Sequence, residues 1–548
     1  MSPFSALTAR LAVGAALGVA PFFWSSTSTA QVQIELVSPA PEAFGAFGVR
    51  LARAGDVDGD GALDVAVAAS GEAAAGVPGA GRVHVVSGRS GNLLRTIESP
   101  DPQPNVEFGW PLDIAGDLDG DGTPELVIGE RFAEVATASG AGRAHVVSGA
   151  TGALLYSLQS PAPEPQGLFG FAVARIQDQD GDGVPDLAIG APAEPAIVSG
   201  QRVERAGRVY VFSGARGVLL STIQAPSPTF AAGFGRSLAL LADVGGSEAG
   251  DLIIGELDAS SDGRVYIATA SGGVLQTLEP ASPSAGAAFG AAVAKVGDLD
   301  GDGFQEAIVG APDAQGGTGA EGRVEIFSGR TGARLRTLDA IAPSSAPFGG
   351  QFGGAVGGAG DVDGDGTADV LVGAPAADVD AMPRAGVAAV FSGASGELLR
   401  VLSATEPESG GGFGAAVLRA DDLDGDGTPD VLVGAPGAAV GGLADAGRAV
   451  LFLSGPPVAC DGCAPPAPLE LRAWPNPASD RLTVSARRAG GAALALRVVD
   501  ALGRTVLRAA AAEGPTALDV SGLAPGAYLV VLDADGAPVR SERVTVGR

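Results

Sequence analysis

Short apolar runs rich in Val, Ile, Leu and Ala recur along most of the chain, and each is closed by Gly, Pro or Asp. One stretch between residues 171 and 224 contains FAVARI, DLAIGAP, GRVYVFSG and VLLSTIQ in succession. β-branched and aliphatic residues between such breakers are typical of short strands, and no helical periodicity separates them. The pattern predicts an all-β protein whose strands come in groups of four.

The group of four strands repeats seven times. Each unit starts with a Phe-Gly pair, and the pairs stand at Phe47-Gly48, Phe108-Gly109, Phe169-Gly170, Phe234-Gly235, Phe289-Gly290, Phe352-Gly353 and Phe413-Gly414. Four antiparallel strands repeated around an axis form a β-propeller, which leaves few sheet edges open. A linear β-solenoid is the alternative, but its coils are much shorter than these units. We therefore predict a seven-bladed β-propeller.

The two ends of the repeat region complement each other. The seventh unit stops after its third strand, RAVLFLSG, and a Pro-rich segment follows. Residues 31–41, QVQIELVSPAP, match the fourth-strand pattern LLRTIESPDP of the first unit. We expect the N-terminal segment to supply the missing strand and so close the ring.

Six units carry the loop D-x-D-G-D-G-x-x-[DE] between their first and second strands. We predict that its four acidic side chains bind a metal in each of these units: Asp56, Asp58, Asp60 and Asp64; Asp117, Asp119, Asp121 and Glu125; Asp178, Asp180, Asp182 and Asp186; Asp298, Asp300, Asp302 and Glu306; Asp361, Asp363, Asp365 and Asp369; Asp422, Asp424, Asp426 and Asp430.

Calcium is the metal that suits these loops. Ca²⁺ takes about six to eight hard oxygen ligands in flexible geometry, whereas Mg²⁺ prefers water and a strict octahedron. A metal-free Asp-Gly hairpin turn is the alternative for any single loop. Six loops with 24 carboxylates would repel strongly without cations, which favours calcium in about six structural sites. The fourth unit, DVGGSEAGD, keeps only Asp243 and Asp251 of the four acids and is expected to bind none.

The phased combination of Phe-Gly, the acidic loop and Gly-Ala-Pro resembles the FG-GAP repeat of integrin α-subunit propellers and of many bacterial surface proteins. Gly-Ala-Pro is intact at residues 190–192, 310–312, 373–375 and 434–436 and drifts in the first, second and fourth units. The resemblance covers residues 31–455. It implies calcium in the acidic loops and a role in adhesion or recognition.

The C-terminal residues 470–548 differ in character from the repeats and predict a small β-sandwich of about six or seven strands. Trp474-Pro475-Asn476-Pro477, the segment 500–504 (DALGR) and the segment 523–528 (LAPGAY) resemble the landmarks of the type IX secretion sorting domain. That likeness implies a partner in the secretion machinery and export across an outer membrane.

A Pro-rich linker, residues 456–469, separates the two regions and holds the only cysteines, Cys460 and Cys463. Two cysteines are too few for a structural zinc site, and no βαβ pattern supports a redox motif. A local disulfide is expected in an oxidising compartment.

Residues 1–30 have the organisation of a signal peptide. Arg10 precedes the apolar segment 11–24, and small residues follow it. The apolar segment is too short to span a membrane, and no later stretch is long enough. We therefore expect a protein that is secreted or held at the outer cell surface, with no transmembrane segment in the mature chain.

The net charge of −29, from 34 Lys and Arg against 63 Asp and Glu, excludes nucleic acid as an expected partner. His84 and His145 occupy equivalent places in neighbouring units and are expected to be strand residues, because no third His or paired acid accompanies them. No nucleophile, zinc-protease or phosphate-loop motif occurs.

The sequence favours a non-enzymatic module that binds protein or glycan on the face opposite the calcium loops. Two alternatives stay open at this stage. One is a calcium-dependent polysaccharide-active enzyme, since paired carboxylates are plentiful. The other is a structural component of a surface layer.

We expect the mature chain to begin at Gln31, because Ser28 and Ala30 place small residues before that bond. N-terminal sequencing of secreted protein checks this expectation. Secreted material that begins at Met1 would contradict it.

Overall fold

The computed structural model forms two compact units, Met1–Gly455 and Pro456–Arg548. Within the first unit it describes residues 33–246, 250–257, 262–282, 286–314, 322–340, 350–379 and 382–453. Within the second it describes residues 470–474, 481–487, 494–499, 505–510, 514–524, 526–534 and 537–546. The predicted signal peptide, the linker cysteines and most of the Gly and Pro turns of the C-terminal region lie outside these ranges.

The first unit is a seven-bladed β-propeller, as predicted. Its strands are, in blade 1, β2 (Phe47–Gly55), β3 (Asp64–Ala69), β4 (Arg82–Val86) and β5 (Leu93–Glu98); in blade 2, β6 (Leu112–Gly116), β7 (Glu125–Glu130), β8 (Arg143–Val147) and β9 (Leu154–Gln159); in blade 3, β10 (Ala172–Ile176), β11 (Asp186–Ala191), β14 (Arg208–Phe212) and β15 (Leu219–Ile223); in blade 4, β16 (Phe234–Leu241), β17 (Asp251–Glu256), β18 (Arg264–Thr269) and β19 (Val274–Leu278); in blade 5, β20 (Ala292–Val296), β21 (Glu306–Ala311), β22 (Arg323–Ser328) and β23 (Arg334–Asp339); in blade 6, β24 (Ala355–Gly360), β25 (Asp369–Ala374), β26 (Val387–Phe391) and β27 (Leu398–Leu402); and in blade 7, β28 (Ala416–Asp421), β29 (Asp430–Ala435), β30 (Arg448–Phe452) and the N-terminal β1 (Gln33–Val37). A small hairpin, β12 (Ala196–Val198) and β13 (Gln201–Val203), is inserted in blade 3.

The first strands of the blades form the inner ring. Each contacts the first strand of the next blade, in the cycle β2, β6, β10, β16, β20, β24, β28 and back to β2. The second strands are buried along their whole length, from β3 to β29, so they carry the core of each blade. This order places the strand 1–2 and 3–4 turns on one face, and the strand 2–3 and 4–1 connections on the other.

The Phe-Gly pairs lie where neighbouring blades meet. Each of the seven Phe side chains is at most 4% exposed. Each ring lies 5.6–6.0 Å, centroid to centroid, from an aromatic or His ring on the third strand of its own blade. The recurring Phe therefore ties the inner strand to the middle of each blade through offset or edge-on ring contacts.

The glycines of the two motifs face each other across the blade junctions. The Phe-Gly glycines have φ between +80° and +100°, a region that side chains with a Cβ rarely adopt. A Cβ on Gly190 of the Gly-Ala-Pro motif would collide with the carbonyl oxygen of Gly235 in the next blade. The same collision recurs at five further junctions, including Gly434 of blade 7 against Gly48 of blade 1. These glycines let the backbones of adjacent blades touch.

The N-terminal strand closes the ring as expected. β1 pairs antiparallel with β30, from Gln33 opposite Phe452 to Val37 opposite Arg448. Leu36 is 6% exposed and belongs to a core cluster with Ala449 and Leu451. A salt bridge of 2.8 Å between Glu35 and Arg448 adds a polar contact.

The C-terminal unit contains two antiparallel sheets in its described residues. One joins β31 (Glu470–Trp474), β32 (Arg481–Arg487) and β35 (Gly514–Asp519); the other joins β34 (Thr505–Ala510), β33 (Leu494–Val499), β36 (Gly526–Ala534) and β37 (Ala537–Val546). Both sheets contribute to one buried cluster that includes Leu482, Val498 and Leu518. The seven strands of this unit agree with the six or seven that the sequence predicts. The β-sandwich arrangement itself stays a prediction.

Leu36→Ala is expected to destabilise the propeller by about 2 kcal/mol or more, because it opens a cavity in the closing strand. Val37→Ala is the matched control, since Val37 is 42% exposed and surface changes usually cost less than about 0.5 kcal/mol. Thermal unfolding of both variants checks this. Equal melting temperatures for the two variants would show that β1 does not close the ring.

Candidate metal centres

The six acidic loops lie on one face of the propeller, each between the first and second strand of its blade. The acid at loop position 9 is the first residue of the second strand, and it is 0% exposed in all six blades: Asp64, Glu125, Asp186, Glu306, Asp369 and Asp430. The acids at positions 1, 3 and 5 are exposed or half-buried. Each loop thus offers one buried carboxylate below several that solvent reaches.

Hydrogen bonds from the backbone to the position 1 carboxylate shape each loop. In blade 1, Asp56 Oδ1 accepts from the N–H of Gly59 at 2.7 Å, and Oδ2 accepts from the N–H of Gly61 at 2.9 Å. Both glycines have positive φ, and a Cβ on either would meet nothing within 4 Å. The glycines are therefore needed for their backbone conformation and not for space. The same two contacts recur in the other five loops.

The folded loops bring acidic oxygens within 4.8 Å of one another, so these clusters can hold metal ions. The close groups are Asp56, Asp58 and Asp64; Asp117, Asp119 and Glu125; Asp178, Asp180 and Asp182; Asp298, Asp300, Asp302 and Glu306; and Asp361, Asp363 and Asp369. Blade 5 brings all four predicted acids together, whereas blades 1, 2 and 6 group positions 1, 3 and 9, and blade 3 groups positions 1, 3 and 5. In blade 7, Asp422 accepts from Gly425 and Gly427 in the same way as its counterparts.

The position 9 carboxylate is held in different ways in different blades. In blades 1, 3 and 6, the Asp accepts from the N–H of a glycine in the strand 3–4 turn, as Asp186 Oδ1 does from Gly214 at 2.9 Å. The longer Glu side chain makes no such contact. Glu125 Oε1 and Glu306 Oε1 are buried without a hydrogen-bond partner among the described residues, and so is Asp251 Oδ1 of the incomplete fourth loop. An orphaned buried carboxylate oxygen beside other acids fits a cation, because burial without a partner is costly.

Burial and like charge oppose ionisation of the position 9 acids. Burial, reinforced by Asp298, Asp300 and Asp302, raises the pKa of Glu306 to about 7. Burial likewise raises the pKa of Asp186 to about 6, with a smaller contribution from Asp178 and Asp180. The sites therefore concentrate negative charge that a bound cation would relieve.

The fourth loop keeps only part of this arrangement in its described residues. Asp243 Oδ1 accepts from the N–H of Gly246 at 2.6 Å, and Asp251 Oδ2 accepts from Val244 and Gly245 at 2.8 and 2.9 Å. Gly245 stands at loop position 3, where the other six blades have Asp. The first and last acids therefore hold the turn without supplying the carboxylate set of the other loops.

The two histidines are strand residues, as expected, but the expectation that no acid accompanies them is wrong. His84 Nε2 lies 3.0 Å from Glu72 Oε2, and its Nδ1 lies 3.0 Å from Thr96 Oγ1. His145 makes the equivalent contacts with Glu130 and Ser157. Each Glu comes from the end of the second strand or just beyond it. Aligning the units could have suggested the first pair, because Glu72 stands at the place of Glu194, which contacts Tyr210 in blade 3; Glu130 stands three residues earlier in its unit.

Comparison with known families confirms both parts of the sequence interpretation. The FG-GAP repeat model matches residues 47–86, 169–212, 289–324, 352–391 and 413–452. Blades 2 and 4, which have Gly-Glu-Arg and Gly-Glu-Leu in place of Gly-Ala-Pro, lie outside the matched segments. The secretion system C-terminal sorting domain matches residues 472–546. The chain thus carries FG-GAP repeats and a sorting domain, which indicates export to the outer surface or release.

Similar proteins include integrin α-V of Gallus gallus, 33% identical over 230 residues, which make up 39% of this chain and 21% of that protein. Phosphatidylinositol-glycan-specific phospholipase D of Bos taurus is 33% identical over 175 residues, 29% of this chain and 20% of that protein. Integrin α-4 of Xenopus laevis is 31% identical over 192 residues, 34% of this chain and 18% of that protein. The chain spans about a fifth of the length of these relatives.

Among solved structures, BBS1N in its complex with ARL6DN aligns over 78% of this chain and 98% of that chain, with a TM-score of 0.46 and 12% identity. Within the part of the chain that the structure describes, no helix has the length and apolar character needed to cross a membrane.

We expect the double variant Asp363→Asn, Asp365→Asn to bind one divalent cation fewer than the unchanged chain. The amides keep the size of the side chains but remove two of the four negative charges of the blade 6 loop. Asp243→Asn, in the incomplete fourth loop, is the matched control and should leave the cation count unchanged. Metal analysis after dialysis against millimolar calcium measures both, and a count of seven in the unchanged chain would contradict the exclusion of blade 4.

Proposed function

We propose that the chain is a secreted or surface-held recognition module in which calcium stabilises the propeller and the opposite face binds a protein or glycan. The observation that carries the proposal is the set of acidic clusters that a rigid ring holds on one face. The sorting domain supplies the link to the secretion machinery.

Calcium is the ion that this donor set supports. The carboxylates at positions 1, 3, 5 and 9 would hold it, with the backbone carbonyl at position 7. All of these ligands are oxygens, and calcium accepts such sets in varied geometry. When bound, the ion would neutralise charge and bridge the exposed turn to the buried first residue of the second strand. The chain's own loop would supply the shape, through the backbone N–H groups that the position 1 Asp binds.

The opposite face carries the longer connections. Arg202, on the inserted hairpin, forms a bidentate pair with Glu164 of the preceding strand 4–1 connection, at 2.7 and 3.0 Å. This contact joins two of the long segments, 160–170 and 191–208. Apolar side chains project from the same face, with Phe44 67%, Phe230 70% and Ile197 46% exposed. Exposed apolar tips on a rigid scaffold are typical of a binding surface.

A non-enzymatic role is supported by how the histidines are used. Both histidines of the chain are 1% exposed and held between a buried Glu and a hydroxyl group. Neither can reach a substrate to exchange a proton. The phospholipase D relative is matched over 20% of its length, so its activity is not transferred to this chain.

Chelation of calcium is expected to lower the melting temperature of the full chain, and millimolar calcium should restore it, because an ion that binds only the folded form stabilises it by mass action. Magnesium at the same concentration should restore less. A melting temperature that does not respond to chelator would remove calcium from the proposal.

A glycan and matrix-protein array, probed with the full chain, tests the binding face. Phe230→Ser and Ile197→Ser should weaken whatever binding is found. The matched control is Leu154→Ser, since Leu154 is 43% exposed and begins an outer strand beside the face of the acidic loops. Binding that is lost in the control and kept in the two loop variants would contradict the assignment of the face.

A further inference from the structure

The innermost strands concentrate positive charge in a strongly acidic chain. The whole sequence has 34 Lys and Arg against 63 Asp and Glu. The seven first strands reverse this balance, because they contain six cationic residues and two acids: Arg50, Arg53, Arg175, Arg236, Lys295 and Arg419, with Asp113 and Asp421. A cleft lined by one sign of charge between low-dielectric walls attracts ligands of the opposite sign.

These charges face a shared space along the axis. Asp113 of blade 2 interacts with Arg175 of the neighbouring blade 3 and, across the ring, with Lys295 of blade 5. Burial and the neighbouring Arg175 lower the pKa of Lys295, and burial and Arg419 lower that of Arg53. Arg53 is paired with Asp421 of the adjacent blade. The axis therefore holds more cations than the local acids balance.

At the end of the axis that opens opposite the acidic loops, guanidinium groups and aromatic rings alternate. The Cζ atoms of Arg50 and Arg131 lie 3.8 and 4.1 Å from the ring centroid of Trp110. The Cζ atoms of Arg131 and Arg236 lie 5.1 and 4.8 Å from that of Phe171. We call these five residues the arginine ladder; it crosses blades 1 to 4.

Each of the three guanidinium groups lies over an aromatic ring. Arg50 Nη1 donates to the carbonyl oxygen of Val49 at 2.8 Å, and the N–H groups that remain can serve an anionic ligand. Glu107 pairs with Arg131. Among the described residues, no carboxylate lies within 4.0 Å of Arg236, and the buried Nε of Arg131 has no hydrogen-bond partner. The ladder thus holds three positive charges against one paired acid.

The other half of the ring carries small residues at the position that Trp110, Phe171 and Arg236 occupy. The residue after each Phe-Gly pair is Trp110 in blade 2, Phe171 in blade 3 and Arg236 in blade 4, but it is Ala291, Gly354 and Ala415 in blades 5 to 7. These three small residues are exposed or half-buried, so no bulky side chain occupies their positions. Phe132, 36% exposed, lies against Arg131 and adds an apolar surface at the rim.

We propose that the arginine ladder binds the carboxylate of an acidic sugar, such as a uronic acid unit of a glycan. Arginine binds carboxylate through paired N–H donors, and the rims of exposed rings pack against the C–H face of a sugar. An acidic side chain of a protein would contact the arginines but not the apolar rim. An acidic sugar would contact both, so we favour the sugar as the ligand. This inference rests on the proposed recognition function and names its ligand class.

Calorimetric titration of the full chain in millimolar calcium tests the proposal. The probes are oligogalacturonate, its methyl-esterified form, which has the same rings without the charge, and tetraglutamate. Arg236→Gln and Arg131→Gln each remove one ladder charge. Arg330→Gln is the matched control, because the Cζ atom of Arg330 lies 5.1 Å from the ring centroid of Phe304 on the face of the acidic loops. Melting temperatures verify that each variant is folded.

The expected result is binding of oligogalacturonate that weakens about tenfold or more in Arg236→Gln and Arg131→Gln, since each loses a charged hydrogen bond. Arg330→Gln should bind as the unchanged chain does, the methyl ester should bind weakly, and added salt should reduce affinity. Equal affinity in the ladder variants, equal affinity for the ester, tighter binding of tetraglutamate, or no binding of oligogalacturonate would each overturn the proposal. The array with its loop variants is read separately, so a ligand that depends on Phe230 but not on Arg236 would contradict this inference alone.

Discussion

The propeller depends on backbone contact between neighbouring blades at paired glycines. The Phe-Gly glycine turns through a left-handed conformation, and its carbonyl oxygen lies against the Cα of the Gly-Ala-Pro glycine in the blade before it. Six of the seven junctions use this contact. At the seventh, Ala68 replaces the glycine, and a Cβ on Gly109 would lie 3.0 Å from its side chain. A side chain at these positions would push the blades apart, so the motif is a packing requirement before it is anything functional.

The fixed ring separates the two kinds of charge. The carboxylates lie in the turns that precede the buried second strands. The first Asp of each turn accepts hydrogen bonds from two backbone N–H groups of the same turn, as Asp56 does, and so fixes its shape. The cations gather on the first strands, where seven blades converge. Neither set would be concentrated in an open sheet, because both depend on equivalent positions being brought together by rotation about one axis.

Features that repeat could be predicted, and features that differ between blades could not. The recurrence of Phe-Gly and of the acidic loop was enough for seven blades, and the match of residues 31–41 to a fourth strand was enough for the closure. The arginine ladder was missed because Arg50, Trp110 and Arg131 come from separate segments, and only the ring makes them neighbours. The Glu72–His84 pair was missed because Glu72 lies beyond the end of β3, outside the strand pattern that recurs in each unit. The loop motif accepts either Asp or Glu at position 9. It therefore does not reveal that Glu, which is longer by one methylene, leaves one buried carboxylate oxygen without a hydrogen-bond partner in the described part of the chain.

The pairing of β1 with β30 also constrains how the protein folds. The partners are more than 400 residues apart in sequence, so this contact forms only after the whole propeller is present. Until then, β1 and β30 each lack the partner that completes the blade 7 sheet. Contacts of such long sequence separation form slowly, because the chain loses loop entropy before it gains the contact. A chain interrupted before blade 7 would leave β1 without its partner strand and available for pairing with other chains, so completion of the ring also protects the protein from aggregation.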